Sequence, residues 1–224
     1  MLSEDPQITS TPLASFERSA DDAERMLRMA SGLADLRVKR MRSDFKQTLG
    51  AALKVRRDQR HLLERAEGRE ASVILKPNAR LRRDMFGHEA LEPLTRQSVV
   101  VLAAAVEAFV ADCVEATLRR QLADSSMPAS AIELLIKQVR DDASSDPKKI
   151  KELFRRVGVK DVLAAGSEAA GFKINSRLSR LVEMRNDVAH GAVPPGLSWD
   201  AAMSLLEDTR AVVRGLDAAL GTVA

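Results

Sequence analysis

Apolar residues recur at intervals of three and four along most of this chain, which is the spacing of amphipathic α-helices. The first such run extends from Phe16 to about Leu63 and predicts a long N-terminal amphipathic helix. Residues 1–15 are polar and contain two prolines, which predicts a flexible tail. Residues 16–93 then comprise the long helix and, from about residue 66, a basic irregular segment.

The remaining residues, 94–224, predict a compact bundle of helices. Leu94 to Leu122 reads as one helix that is apolar on almost all sides between Val99 and Val114, as expected of a central helix. Shorter helices are predicted over residues 130–139, 147–158, 161–165 and 176–190, followed by a last amphipathic helix after residue 198. The fold class is therefore all-α, a helical bundle with a long N-terminal amphipathic helix.

Several of these helices carry recognisable start and stop signals. Ser130 with Glu133 has the spacing of a capping box, and Asp146 before Pro147 is an N-cap followed by proline. Asn175 and Ser198 are further candidate N-caps. Gly191, with two prolines soon after it, predicts the end of the penultimate helix.

Composition narrows the class of protein further. Hydrophobic residues make up 45% of the chain, charged residues 30% and aromatic residues 3%, with no Tyr, which excludes disorder by composition and an all-β sandwich. The single Cys113 cannot form an intramolecular disulfide or a cysteine-based zinc site. No secretory signal or bilayer-spanning stretch is visible, so a cytoplasmic location without membrane contact is expected.

The positive charge lies mainly in the first half of the chain. Residues 17–96 carry 19 Lys and Arg against 13 Asp and Glu, whereas the whole chain has a net charge of only +3. This distribution permits a polyanionic partner, but a solvated basic helix surface accounts for it equally. Arg80, Arg82 and Arg83 form the densest cluster, either as contacts to an RNA backbone or as a solvated loop.

The helix over residues 176–190 contains the one group of residues with evident chemistry. At 100° per residue, Arg185 falls in the middle of its predicted buried stripe, with Asn186 and His190 on one flank. A guanidinium in such a position requires an anion or a wet cleft. The stripe itself is predicted to consist of Leu178, Leu181, Val182 and Ala189.

The segment from Arg185 to Gly191 resembles the signature of HEPN domains. That signature is an Arg, usually followed by a polar residue, with a His four to six positions later near the end of the penultimate bundle helix. Arg185, Asn186 and His190 match these three positions in order. The central helix, with Glu107 before an aromatic residue, is also similar to that of many such proteins, and the resemblance covers about residues 94–220.

The resemblance implies a homodimeric endoribonuclease that needs no metal and no cofactor. The catalytic residues would be His190, which handles the proton of the RNA 2′-hydroxyl, Arg185, which holds the scissile phosphate, and Asn186. Glu107 would support them. It also implies a toxin or defence system, in which a protein antitoxin or regulator is a further partner. No second His or paired carboxylates lie at metal-ligand spacing around the motif.

From the residues alone, an alternative to the nuclease remains open. Arg185 could pair with a buried acid such as Glu107 while His190 only ends the helix. The protein would then be a catalytically silent HEPN-like module that dimerises or binds a protein or nucleotide.

Overall fold

The structure, a computed structural model of the full chain, describes residues 11–32, 88–192, 194 and 196–222. All regular elements in these ranges are helices, which confirms the predicted all-α class. In chain order they are α1 (residues 12–32), α2 (His88–Leu122), α3 (Ala129–Asp141), α4 (Pro147–Arg156), α5 (Val162–Ala170), α6 (Ile174–Ala189) and α7 (Trp199–Thr222).

The chain divides into two compact units, one made of Met1–Arg25 with Arg96–Ala224 and the other of Met26–Thr95. In the first unit Phe16 of α1 packs edge-to-face on Phe109 of α2, with ring centroids 6.3 Å apart. The beginning of the N-terminal helix is therefore part of the bundle rather than a separate arm. In the second unit Leu94 packs against the buried Ala30.

The N-terminal helix begins earlier than predicted. Residues 12–15, expected in the tail, are helical, because the Thr11 hydroxyl accepts a hydrogen bond from the Ala14 amide at 3.2 Å and Pro12 occupies the first turn. The predicted continuation of this helix to residue 63, and most of the irregular segment after it, lie outside the described residues. Helix α2 also starts earlier, at His88, and includes Pro93.

The predicted end signals are confirmed at three helices. The Asp146 carboxylate accepts from the Lys148 amide at 2.7 Å, and the Ser198 hydroxyl accepts from the Ala201 amide at 3.1 Å. Gly191 follows α6 with a φ of 79°, a left-handed conformation that glycine adopts without strain. The segment predicted as a short helix from residue 161 forms α5 and extends to Ala170.

Two predicted caps are wrong. Helix α3 starts at Ala129, so Ser130 lies inside it, and Glu133 forms an ion pair with Arg119 of α2 at 2.9 Å. Helix α6 starts at Ile174, before the predicted cap Asn175. The Ile174 amide donates instead to the Ser167 hydroxyl of α5 at 3.1 Å, so the cap comes from the preceding helix.

Helices α5 and α7 pack with almost no space between their backbones. A Cβ added at Gly215 of α7 would lie 2.8 Å from the Gly166 carbonyl oxygen and 2.8 Å from Ala170 Cβ. Ile174 Cδ1, from the first residue of α6, would lie 3.0 Å from a Cβ at Gly166 and 3.3 Å from one at Gly215. The absence of two side chains thus allows three helices to meet at one point.

We expect Gly215→Ala to lower the free energy of unfolding by about 1–3 kcal/mol, because the methyl group would collide with backbone and force the helices apart. Gly221→Ala, in the same helix but with no atom within 4 Å of the added Cβ, should leave it unchanged or raise it by less than about 1 kcal/mol. Urea denaturation followed by circular dichroism measures both, and equal effects would contradict the close contact.

Candidate functional site

Helix α6 presents its apolar side to the bundle in a slightly different orientation from that predicted. Its buried residues are Ile174, Leu178, Leu181 and Met184. Of the predicted stripe, Val182 is half-buried and Ala189 is exposed. Arg185 faces the same side as Leu178 and Leu181, but it is only half-buried, because the neighbouring elements leave a cavity there.

The Arg185 guanidinium has a hydrogen-bond partner but no carboxylate. Its Nη1 donates to Asn186 Oδ1 at 3.2 Å. Within the described ranges no ion pair within 4.0 Å involves Arg185, so the alternative pairing with Glu107 is not formed. Of the three residues predicted to share one edge of this helix, Arg185 and Asn186 are therefore in contact, and no described carboxylate neutralises the charge of Arg185.

The cavity beside Arg185 has a volume of about 610 Å³ and is lined mainly by charged groups. Glu107 reaches it from α2, while Lys148 and Lys149 reach it from the first turn of α4. Arg156 also lines it, but pairs with Asp142 at 2.8 Å and with Glu152 at 3.5 Å. The cavity thus contains cations that are already paired and cations that are not.

Glu107 is held in place by a buried serine. Ser145, in the turn between α3 and α4, donates from Oγ to Glu107 Oε1 at 3.1 Å. This bond positions the carboxylate without neutralising its charge. The supporting acid predicted from the sequence therefore shares a cavity with Arg185, although the two residues are not paired with each other.

Lys148 and Lys149 were not anticipated from the sequence. A signal was present, since the first turn of α4 contains two lysines and no acid, although the positive end of a helix dipole favours acids there. Neither ammonium group forms an ion pair among the described residues. What the sequence did not indicate is that this turn faces Arg185.

His190 occupies the C-cap of α6, where its amide donates to the Asn186 carbonyl at 2.9 Å. Its side chain is exposed and is not among the groups that line the cavity. The five positions from Arg185 to His190 turn an ideal helix by about 500°, which directs the two side chains roughly 140° apart. Arg96 of α2 supports this helix end by donating to the Val188 carbonyl at 3.3 Å.

The other candidate residues add no second site. Arg80, Arg82 and Arg83 lie outside the described residues, and their RNA-binding role stays a prediction. The thiol of Cys113 is buried, and this burial, with the nearby Asp217 and Asp112 charges, raises its pKa far above the ordinary value. In the part of the chain that the structure describes, no cluster of three His, Cys, Asp or Glu residues could hold a metal ion, and no helix is long and apolar enough to cross a membrane.

Comparison of the chain with protein families, curated proteins and solved structures finds no match.

Because Arg185 has no carboxylate partner in the described part of the chain, we expect Arg185→Ala to change the free energy of unfolding by less than about 1 kcal/mol. Arg210 of α7 provides the contrast, since it binds Glu17, Asp21 and Glu24 of α1 and its side chain is only 18% exposed. Arg210→Ala removes the shared cation from these carboxylates, although Glu17 keeps Arg214 as a partner at 2.8 Å, and should cost about 2 kcal/mol. Urea denaturation compares the variants, and an Arg185→Ala protein as unstable as Arg210→Ala would assign Arg185 a structural role.

Proposed function

We propose that this protein is a metal-independent endoribonuclease of the HEPN type. The observation that carries the proposal is the Arg185 guanidinium, which faces a charged cavity from the inner side of α6 without a carboxylate partner among the described residues. A cation kept in such a position is suited to an anionic group that enters from solution. In RNA this group is the phosphodiester.

The reaction is an attack of the ribose 2′-oxygen on the adjacent phosphorus, which breaks the bond to the 5′-oxygen of the next nucleotide. Arg185 stabilises the charge that develops on the non-bridging phosphate oxygens, and Asn186 fixes the direction of its guanidinium. His190 takes the 2′-hydroxyl proton as a general base, while water or a second imidazole protonates the leaving 5′-oxygen. The products are a 2′,3′-cyclic phosphate and a free 5′-hydroxyl.

The exposure of His190 at the end of α6 fits an assembly in which two chains join. In a homodimer whose two motifs face one cleft, the His190 and the Arg185 that act on one phosphate can belong to different chains. The two side chains then need not lie in the same cavity of one chain. We propose a homodimeric, cytoplasmic enzyme. Because its target is RNA, a role as a toxin or defence nuclease controlled by a protein antitoxin or regulator is the corresponding biological proposal.

A second candidate function is a catalytically silent module that binds a phosphate or nucleotide. The observation that favours it is that His190 does not line the cavity that Arg185 lines. Binding of phosphate in the cavity would then be the whole function, and no proton would be transferred.

We expect the purified chain to cleave unstructured RNA in the presence of EDTA. His190→Ala should lower the rate by about 10²–10⁴-fold through loss of the proton acceptor. Arg185→Ala should lower it by about 10²–10³-fold through loss of charge stabilisation. Arg180→Ala is the matched control, because Arg180 is an exposed arginine of the same helix that does not line the cavity. Gel analysis of end-labelled RNA measures the rates.

The products and the substrate requirement test the chemistry separately. The 3′ ends should carry a cyclic phosphate, and RNA with a 2′-deoxy sugar at the scissile position should remain intact. A wild-type protein that binds RNA but never cleaves it would favour the silent module. Cleavage unaffected by both substitutions would reject the assigned roles of Arg185 and His190.

A further inference from the structure

The cavity beside Arg185 holds more chemistry than phosphate cleavage requires, since a fixed carboxylate faces the same space as several unpaired cations. We propose that this cavity is a guanine-nucleotide subsite, in which Glu107 reads the base while Lys148 and Lys149 bind phosphate. This inference rests on the proposed function in taking RNA as the ligand. It goes further by assigning a base preference and a specificity-determining residue.

The cavity offers positive groups for the anionic part of a ligand. Arg156 is neutralised by its ion pairs with Asp142 and Glu152. Among the described residues Lys148 and Lys149 form no ion pair, and Arg185 hydrogen-bonds to the neutral Asn186 amide without an ion pair. Asp141 and Glu107 also line the cavity without an ion pair among the described residues, so its lining is mixed in charge. Lys148, Lys149 and Arg185 supply positive groups for the anionic part of a ligand, and the two acids supply hydrogen-bond acceptors.

The Glu107 carboxylate indicates a second requirement for the same ligand. An ionised carboxylate only accepts hydrogen bonds, and Ser145 occupies just one acceptor position on Oε1. In the described part of the chain no arginine or lysine pairs with this carboxylate. A ligand that satisfies both sets of groups therefore carries N–H or O–H donors for the carboxylate as well as an anionic group for the cations.

Among the four RNA bases, guanine offers the best match to a carboxylate. Its Watson–Crick edge presents two adjacent donors, the N1–H and the exocyclic amino group, which can bind both oxygens of one carboxylate in parallel. Adenine and cytosine present one donor beside an acceptor, and uracil presents one donor between two acceptors. Bases that are unstacked from single-stranded RNA are read through this edge.

The size of the cavity is compatible with one nucleotide. Its volume of about 610 Å³ lies within the range of about 300–1,000 Å³ that is typical of small-molecule sites. The elements that line it are rigidly connected, because the Asp146 cap of α4 follows directly on Ser145, which binds Glu107. The carboxylate of Glu107 and the backbone of the turn that carries both lysines are thus connected through two adjacent residues.

Binding of nucleoside monophosphates to the intact chain tests the base preference without any cleavage step. Isothermal titration with the 3′- and 5′-monophosphates of the four nucleosides should show guanosine bound about 10- to 100-fold more tightly than the others in at least one series, since a bidentate pair is worth about 1–3 kcal/mol of discrimination. The series with the stronger preference identifies on which side of the base the bound phosphate lies.

Glu107→Gln should abolish the guanine preference, because the amide offers one acceptor in place of two and retains an oxygen for Ser145. Glu133→Gln is the control, since Glu133 is an exposed acid of α3 outside the cavity. The double variant Lys148→Ala and Lys149→Ala should bind all four nucleotides more weakly by the same factor and keep the preference for guanine. Lys151→Ala, in the same helix but lining a different cavity, should have no effect.

The two proposals fail separately. Guanine-selective binding that depends on Glu107, in a protein that never cleaves RNA, keeps the subsite and rejects the nuclease. RNA cleavage by a protein that binds all four nucleotides equally, or binds none, overturns the guanine subsite and leaves the nuclease standing. A guanine preference that survives Glu107→Gln in a folded protein also overturns the assignment of Glu107.

Discussion

The backbone contact between α5 and α7 at Gly166 and Gly215 determines where α6 can lie, and α6 presents Arg185 to the cavity. Ile174, the first residue of α6, touches both glycine positions, so a helix shift at this contact would move the start of α6. Ser167 of α5 adds a directional constraint, because its hydroxyl binds the Ile174 amide and the Leu163 carbonyl. From this anchored end, Leu178 and Leu181 set the rotation of α6 and with it the direction of Arg185.

The arginines that connect helices of the bundle bind carboxylates, whereas Arg185 in the cavity does not do so among the described residues. Arg210 and Arg119 each bind carboxylates of a neighbouring helix, and Arg177 binds Asp208 while it stacks on the Phe172 ring at 4.0 Å. These arginines connect helices, and their charges are neutralised within the protein. Arg185 is also directed inward, but the partner it has among the described residues is a neutral amide, which leaves its charge available to a ligand.

Much of the fold could be predicted from the sequence because its signals are local. The spacing of apolar residues located the helices, and Asp146 before Pro147, Ser198 and Gly191 marked ends that depend on adjacent residues only. The caps assigned to Ser130 and Asn175 failed for the opposite reason. The contacts that form instead are tertiary, since Glu133 pairs with Arg119 of another helix and the Ile174 amide binds the Ser167 hydroxyl of another helix. No local sequence pattern predicts either contact.

The candidate site was predictable to the extent that it lies within one helix. Arg185 and Asn186 are adjacent, and the helical period alone places the guanidinium on the inner side. Lys148 and Lys149 approach it from a turn almost forty positions earlier, and the bond from Ser145 to Glu107 spans a similar separation. Such contacts depend on how three helices are arranged, which amphipathic spacing does not specify.

Helix α2 also acts as a spacer. It carries Arg96, which supports the end of α6 beside His190, and Glu107, which faces the cavity, eleven residues further on. Eleven residues are close to three full turns, so both side chains leave the same side of α2, about 16 Å apart along its axis. Inserting or deleting a single residue between them would rotate one by about 100° relative to the other. A change in the length of this interval would therefore move the support of α6 relative to the cavity carboxylate even if every residue within it kept its type.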